Sequence, residues 1–156
     1  MVKKIVLFIG IVLLLTSVGC ININLFEKQV PVPSQRWSYG FVPEFKFSIN
    51  DTVSRFRIFA VIRHTDRYQF NNIWLRIGLK GPGTDSVKYQ NMNLQLADNK
   101  KWFGEGVDDI YEVRVLMNPG AVFKKAGDYT FSVAQIMREN PLPDIMNVGI
   151  RIEKIE

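Results

Sequence analysis

Apolar and polar residues alternate with a period of two through most of the chain that follows position 41. In the first run, Phe45, Phe47 and Ile49 fall on one side of an extended segment, with charged and hydroxyl residues between them. This alternation is typical of a β-strand that has one buried and one solvated face. Because a strand cannot satisfy its backbone hydrogen bonds alone, repeated runs of this kind must pair into sheets.

Further runs follow at residues 56–63, 73–80, 87–96, 110–117, 129–133 and 148–152. Turn signals such as Gly81-Pro82-Gly83 and Asn118-Pro119-Gly120 separate them, and no long helical pattern is present. Both faces of the run at 56–63 are largely apolar, which predicts a central strand. The pattern predicts an all-β fold, an antiparallel two-sheet β-sandwich of jelly-roll or immunoglobulin-like type, as a single domain over residues 41–156.

The N-terminus has the parts of a bacterial secretory signal. Lys3 and Lys4 precede an apolar run over residues 5–15, and small residues then lead to Cys20, the only cysteine. A cysteine at this place resembles a lipobox, in which the thiol is acylated and the chain is cut before the cysteine, although Ser17 stands where a lipobox has leucine. We therefore predict a lipoprotein signal peptide over residues 1–19, lipidation of Cys20, and a lipidated tether over residues 20–40.

Three other interpretations of this N-terminus stay open. It could be a transmembrane anchor, but the apolar run is shorter than the roughly 20 residues that span a bilayer. It could be an ordinary cleaved signal, in which Cys20 has no role. It could be a buried helix, which the two lysines argue against. Acylation is the interpretation that makes membrane lipid the first partner of the protein.

Charge and composition exclude several classes of protein. The formal net charge of +5 includes Lys3 and Lys4, and the remaining cations are scattered, which is not the footprint of a nucleic-acid-binding protein. A single cysteine cannot form an internal disulfide, so the fold depends on packing.

The residues of acid–base and metal chemistry are few. His64 is the only histidine, no Gly-x-Ser-x-Gly elbow and no phosphate-binding loop is present, and zinc would lack ligands. We expect His64 to be a surface-loop residue beside Asp66. The sequence predicts no catalytic residue, no metal, no cofactor and no small-molecule substrate, and the protein is expected not to be an enzyme.

An acidic cluster consists of Glu105, Asp108, Asp109 and Glu112. Paired carboxylates can hydrolyse glycosides, and oxygen clusters can bind calcium. The spacing fits no EF-hand, and we expect a solvated acidic loop. A carboxylate-based hydrolase is the least favoured of the functional hypotheses.

Tryptophan residues are the candidates for contacts with a partner or a glycan. Trp37, Trp74 and Trp102 are more often packing residues in a protein of this kind, but exposed rings on a β-sandwich could stack on sugars. Trp102 and Phe103, which follow two lysines and precede a glycine-rich loop, are the best exposed pair, and Trp37 lies where the chain enters the fold. We name Trp102, Phe103 and Trp37 as candidate contacts.

The chain resembles the GldH family, the gliding motility-associated lipoproteins of the Bacteroidetes. The resemblance extends in order over nearly the whole mature chain and is carried by Cys20, Trp37 and residues 68–75, 97–112 and 127–153. It implies a non-enzymatic envelope lipoprotein that serves as a scaffold or accessory component of the gliding machinery and its linked secretion system. Other proteins of that machinery are the implied partners.

The residues that follow Cys20 indicate where the protein is located. No acidic residue directly follows Cys20, which favours the periplasmic face of the outer membrane over the cell surface. The alternative function is a glycan-binding β-sandwich module of the cell envelope.

Two tripeptides, Asp51-Thr52-Val53 and Asp85-Ser86-Val87, resemble the short O-glycosylation acceptor of Bacteroidetes envelope proteins. Thr52 and Ser86 are therefore candidate sites of O-glycosylation, with a chance match as the leading alternative.

Overall fold

The computed structural model describes residues 25–99 and 101–155 of the chain. The alternating segments and the short runs between them form the strands β1 (Leu25–Pro31), β2 (Arg36–Trp37), β3 (Glu44–Ile49), β4 (Phe56–Thr65), β5 (Asn72–Lys80), β6 (Val87–Gln95), β7 (Ala97–Asp98), β8 (Lys101–Trp102), β9 (Glu105–Val107), β10 (Ile110–Ala121), β11 (Gly127–Gln135), β12 (Leu142–Pro143) and β13 (Ile145–Lys154). A 3₁₀ turn, Pro33–Gln35, follows β1. Within the described ranges, no helix is long and apolar enough to cross a membrane.

Two antiparallel sheets form the sandwich. The five-stranded sheet has the order β1-β13-β4-β10-β9, and the four-stranded sheet has the order β3-β11-β5-β6. Two-stranded ladders, β2 with β12 and β7 with β8, lie outside these sheets. The predicted all-β antiparallel sandwich is confirmed, and β4 is central as expected, between β13 and β10.

The core lies between the sheets and consists of the inward side chains of the alternating runs. Phe45, Phe47 and Ile49 of β3 are buried, as are Ile73 and Leu75 of β5. The ring of Phe47 is stacked on those of Tyr129 and Phe131, with centroids 5.7 and 5.5 Å away, and the ring of Phe26 lies 5.6 Å from it. Because Phe26 belongs to β1 and Phe47 to β3, this contact joins the two sheets along one side of the sandwich.

The structure differs from the expected tether over residues 20–40 in the part that it describes. All seven residues of β1 pair with β13, from Leu25 opposite Glu153 to Pro31 opposite Asn147. The apolar alternation does not predict β1, because Lys28 lies between Phe26 and Val30 on the same side of the strand and interrupts the pattern. The folded domain therefore includes residues well before position 41.

Charged side chains tie β1, β13 and β10 together. The Glu27 carboxylate accepts hydrogen bonds from Arg151 Nη1 at 2.6 Å and from Arg114 Nη2 at 3.1 Å. Burial acts to raise the pKa of Glu27, but the hydrogen bonds from Arg114 and Arg151 together outweigh it, and the pKa is lowered. The N-terminal strand is thus held to the sheet by ion pairs as well as by its backbone ladder.

Candidate functional site

Exposed aromatic side chains gather on the outer face of the four-stranded sheet. Tyr39 is 48% exposed, Trp74 43% and Tyr89 65%. Trp74 points outward because its neighbours in β5, Ile73 and Leu75, are fully buried and successive side chains of a strand alternate between faces. We call this the outer aromatic face, defined by Tyr39, Trp74, Arg76, Tyr89 and Asn91.

Gly78 allows Tyr89 to lie across the sheet. The two residues are cross-strand partners in β5 and β6. A Cβ atom at position 78 would lie 2.9 Å from Cε1 of Tyr89 and would also collide with the Ser132 hydroxyl. A residue larger than glycine would therefore force the tyrosine ring away from the sheet.

The segment before β3 supplies the opposite edge of this face. The Tyr39 hydroxyl donates a hydrogen bond to the carbonyl oxygen of Met137 at 2.6 Å, and its backbone N–H donates to Asn140 Oδ1 at 2.8 Å. These bonds hold Tyr39 against the segment that follows β11. Residues 137–140 therefore help to position an exposed ring.

A groove of about 460 Å³ runs between these two edges. Tyr39 and Val42 line one wall, Arg76 and Tyr89 the other, and Ser132 is among the residues of the floor. Arg76 Nε donates a hydrogen bond to Asn91 Oδ1 at 3.2 Å, which holds the guanidinium beside the aromatic rings. Rings for stacking, an amide and a cation thus lie together on a rigid sheet, the chemistry of protein contacts and of sugar binding.

The sequence pointed to other residues. The contacts that the sequence predicts include neither Tyr39 nor Tyr89, and Trp74 is predicted to be a packing residue. The strand parity that places Ile73 and Leu75 in the core also places Trp74 and Arg76 outside, so this signal was present in the alternation.

Trp37 is a core residue rather than a surface contact. Its side chain is fully buried, and its Nε1–H donates to the carbonyl oxygen of Phe41 at 2.8 Å. β2 pairs with β12, so Leu142 lies opposite Trp37 and helps to enclose the ring. A partner or glycan could not reach Trp37 in this fold, so the prediction of a surface contact there is wrong.

Trp102 is half-buried within an aromatic cluster at one end of the sandwich. Its ring centroid lies 4.4 Å from that of His64 in an edge-to-face arrangement, and 6.1 and 6.2 Å from those of Tyr111 and Tyr68. Phe103, the next residue, is 41% exposed. Of the predicted pair, Phe103 presents the more accessible ring, and a contact at either residue stays a prediction.

His64 is not the surface-loop residue that we expected. It lies in β4, is fully buried, and its Nδ1 lies 2.8 Å from the carbonyl oxygen of Thr65. Burial lowers its pKa, which keeps the ring neutral at pH 7. Nε2 has no hydrogen-bond partner among the described residues. The expectation failed because the charged residues around His64 mask its place at the end of a central strand.

The acidic cluster is dispersed. Glu105, Asp108 and Asp109 are exposed, while Glu112 forms an ion pair with Arg114 at 2.7 Å and accepts a hydrogen bond from Gln29. Among the residues that the structure describes, no group of three or more His, Cys, Asp or Glu side chains is placed to hold a metal ion. Three of the four carboxylates are solvated, as the sequence indicated.

The candidate modification sites lie in different parts of the chain. Cys20 and the signal peptide lie outside the described residues. Ser86 is exposed in the loop before β6, and Thr52 is half-buried in a bend where the Asp51 carboxylate accepts the backbone N–H groups of Val53 and Ser54. O-glycosylation of Thr52 or Ser86 stays a prediction.

Comparison with known proteins gives the family. The model of the family described as GldH lipoprotein matches residues 24–152, which include both sheets. The chain belongs to the GldH lipoprotein family. The resemblance inferred from the sequence is thereby confirmed.

Two curated relatives align over almost their whole length. The gliding motility lipoprotein GldH homolog of Christiangramia forsetii is 25% identical over 159 residues, with 95% of this chain and 93% of the relative covered. The gliding motility lipoprotein GldH of Flavobacterium johnsoniae is 27% identical over 157 residues, with 92% and 94% covered. This chain is therefore comparable in extent to both GldH proteins.

Among solved structures, the VP2 subviral particle protein of infectious bursal disease virus resembles the chain weakly. The TM-score is 0.36 at 12% identity, over 86% of this chain and 34% of the viral protein. The match to the family model, rather than this likeness, defines the relationship.

Proposed function

We propose that this protein is a non-enzymatic, lipid-anchored accessory component of gliding motility and of the secretion machinery linked to it. The names of its relatives in C. forsetii and F. johnsoniae support the link with gliding. The outer aromatic face supports an interaction role, and it is the observation that carries the proposal. Aromatic residues and arginine are enriched where proteins bind one another, because they bury large areas at a small entropic cost.

The anchor in this proposal is an acyl chain on Cys20, in the outer membrane, with the domain facing the periplasm. β1 begins only a few residues after Cys20, so the sandwich would be held close to the bilayer surface. Protease treatment of intact cells should leave the protein uncut, and permeabilised cells should lose it. Removal from intact cells would contradict the periplasmic location.

The interaction role is tested by copurification of the lipidated protein from membranes, read out as gliding and secretion components recovered. Trp74→Ala and Tyr89→Ala should each reduce the recovery at least several-fold, because a truncated anchor residue at an interface typically costs about 2 kcal/mol. Phe103→Ala is the comparison variant, since it truncates an exposed aromatic ring at the contact that the sequence predicts, away from the outer aromatic face. Equal losses in all three variants, or none, would contradict a site on this face.

Glycan binding is the second candidate function. Its specific support is the juxtaposition of Tyr89 and Trp74 with the amides of Asn91 and Asn93 on one face, because sugars bind through ring stacking and amide hydrogen bonds. Saturable binding of purified envelope polysaccharide should be lost in Tyr89→Ala. Loss in Trp102→Ala instead would favour the site that the sequence predicts.

A further inference from the structure

The side of the sandwich between β6 and β10 carries two free strand edges. In the described part of the chain, β6 pairs with β5 alone, and β10 beyond Glu112 pairs with β4 alone. Each edge therefore presents backbone N–H and C=O groups with no strand beside them. Such groups are a template for another extended chain.

An apolar groove lies between these edges, in the gap between the two sheets. It has a volume of about 390 Å³. Met92 of β6 and Met117 of β10 line it from opposite sides, and Leu79 and Phe131 lie deeper. A strand added to β6 would point every second side chain into this groove, since side chains alternate along a strand. We call the edge and the groove together the β6 seam.

β10 carries the features that protect a free edge, whereas β6 does not. The register of β10 against β4 shifts twice, between Leu116 and Asn118 and between Asn118 and Ala121, where the sequence had predicted a turn. Bulges of this kind disturb an edge and discourage pairing. β6 pairs with β5 through all nine residues without a shift, and it has no proline and a single charged residue, Lys88. Of the two edges, β6 is the better acceptor.

Charge indicates what kind of strand would bind. Lys88 is exposed, it is the only charged residue that lines the groove, and it makes no salt bridge with any residue in the described ranges. A carboxylate on the incoming strand would complement it. A second copy of this chain fits less well, because the side of its β6 that faces the groove carries Lys88 and Gln90 beside Met92. Pairing of two β6 strands would bring two like charges to one edge.

We propose that the β6 seam binds an extended segment of a partner protein by β-strand addition, with alternating apolar side chains in the groove and an acidic residue opposite Lys88. In recognition of this type, backbone hydrogen bonds supply affinity and the pocket for alternate side chains supplies specificity. The identity of the partner as an envelope protein rests on the proposed function. Strand binding at β6 does not, and a direct binding measurement therefore separates the two.

The test uses the full-length protein in detergent and a labelled nine-residue peptide in which valine and threonine alternate between terminal aspartates. Fluorescence anisotropy should show saturable binding. A peptide of the same composition with its valines in one block should bind about tenfold more weakly, because its apolar and polar side chains no longer alternate. Equal binding of the two peptides would overturn the proposal.

The charge is tested by reversal. Lys88→Glu should weaken binding of the aspartate peptide by about fivefold and should strengthen binding of a matched peptide that carries terminal lysines. Lys46→Glu, an exposed reversal on β3 at the far edge of the same sheet, is the control and should leave both affinities unchanged. An equal response in the two variants would overturn the assignment to β6.

The groove and the second copy are tested separately. Met92→Glu should abolish binding of both peptides while the variant keeps its β-sheet circular dichroism spectrum. If Met92→Glu unfolds the protein, Lys88→Glu with the two charged peptides still decides the question. Light scattering should find a monomer, and a dimer that Lys88→Glu dissociates would overturn the proposal in favour of a second copy. Peptide binding without copurified envelope proteins would count against the proposed function alone.

Discussion

The two long sides of the sandwich differ in how the sheets meet. On the β1–β3 side, Phe26 and Phe47 join the sheets through aromatic packing, and the Glu27 ion pairs hold β1 to its neighbours. On the β6–β10 side, Met92 and Met117 face each other across an open groove. β1 and β3 are edge strands as well, but aromatic packing fills the gap between the sheets beside them. The comparison teaches that one side joins the sheets, while the other combines a free strand edge with an apolar groove that a partner can use.

Truncation of the aromatic core on the closed side should have the largest effect. Phe47→Ala should lower the free energy of unfolding by about 3–5 kcal/mol, because the cavity removes ring contacts with Tyr129, Phe131 and Phe26. Urea denaturation measures it, with Phe103→Ala as an exposed aromatic control. A loss below about 0.5 kcal/mol would mean that this side does not hold the fold, since surface changes fall in that range.

The Glu27 ion pairs should contribute next, and their contribution should depend on pH. Glu27→Gln should cost about 2 kcal/mol at pH 7, where two charge-assisted hydrogen bonds are lost. The pKa of Glu27 is lowered in the folded protein, so its stabilisation is complete above the ordinary value of 4.5 and is lost as pH falls through the folded value. Denaturation curves of wild type and variant should therefore converge toward pH 2, and a difference that does not depend on pH would contradict the assignment.

Truncation on the open side should cost less. Met92 is half-buried, and part of its side chain faces the groove rather than packed neighbours. Met92→Ala should lower the free energy of unfolding by about 1 kcal/mol, below the usual range for a fully buried methionine. Urea denaturation of Met92→Ala and Phe47→Ala measures both losses in the free energy of unfolding. Equal losses would contradict the difference between the two sides.

Charge reversal at the open edge should have the smallest effect on stability. Lys88→Glu should change the free energy of unfolding by no more than about 0.5 kcal/mol, as is usual for an exposed surface residue. The same variant is expected to change peptide affinity. A large destabilisation would show that Lys88 is part of the fold rather than of a binding edge.

The sequence predicted the strands that build the core but not those whose position depends on distant residues. Phe45 and Phe47, or Ile73 and Leu75, alternate strictly because one face of each strand is buried. The alternation does not predict β1, because an edge strand is half-solvated and Lys28, on the same side as Phe26 and Val30, stays exposed. The burial of Trp37 depends on Leu142 of β12, and no local pattern relates two strands so far apart.

The candidate sites were harder to predict because exposure depends on the arrangement of the sheets. Strand parity was sufficient to place Trp74 on the outer face. The free edge of β6 was not accessible to the same argument, since alternation shows that a segment is a strand but not whether another strand lies beside it. The anchoring of Tyr39 by Met137 and Asn140 depends on tertiary contacts of the same kind.

Amide hydrogen exchange across the full-length protein, with and without saturating alternating peptide, tests the asymmetry of the two sides most directly. The account predicts slower exchange in β6, residues 87–95, when the peptide is bound, and unchanged exchange in β1 and β3. Protection that appears at β1 or β3, or no protection at β6 when the peptide is bound, would contradict it.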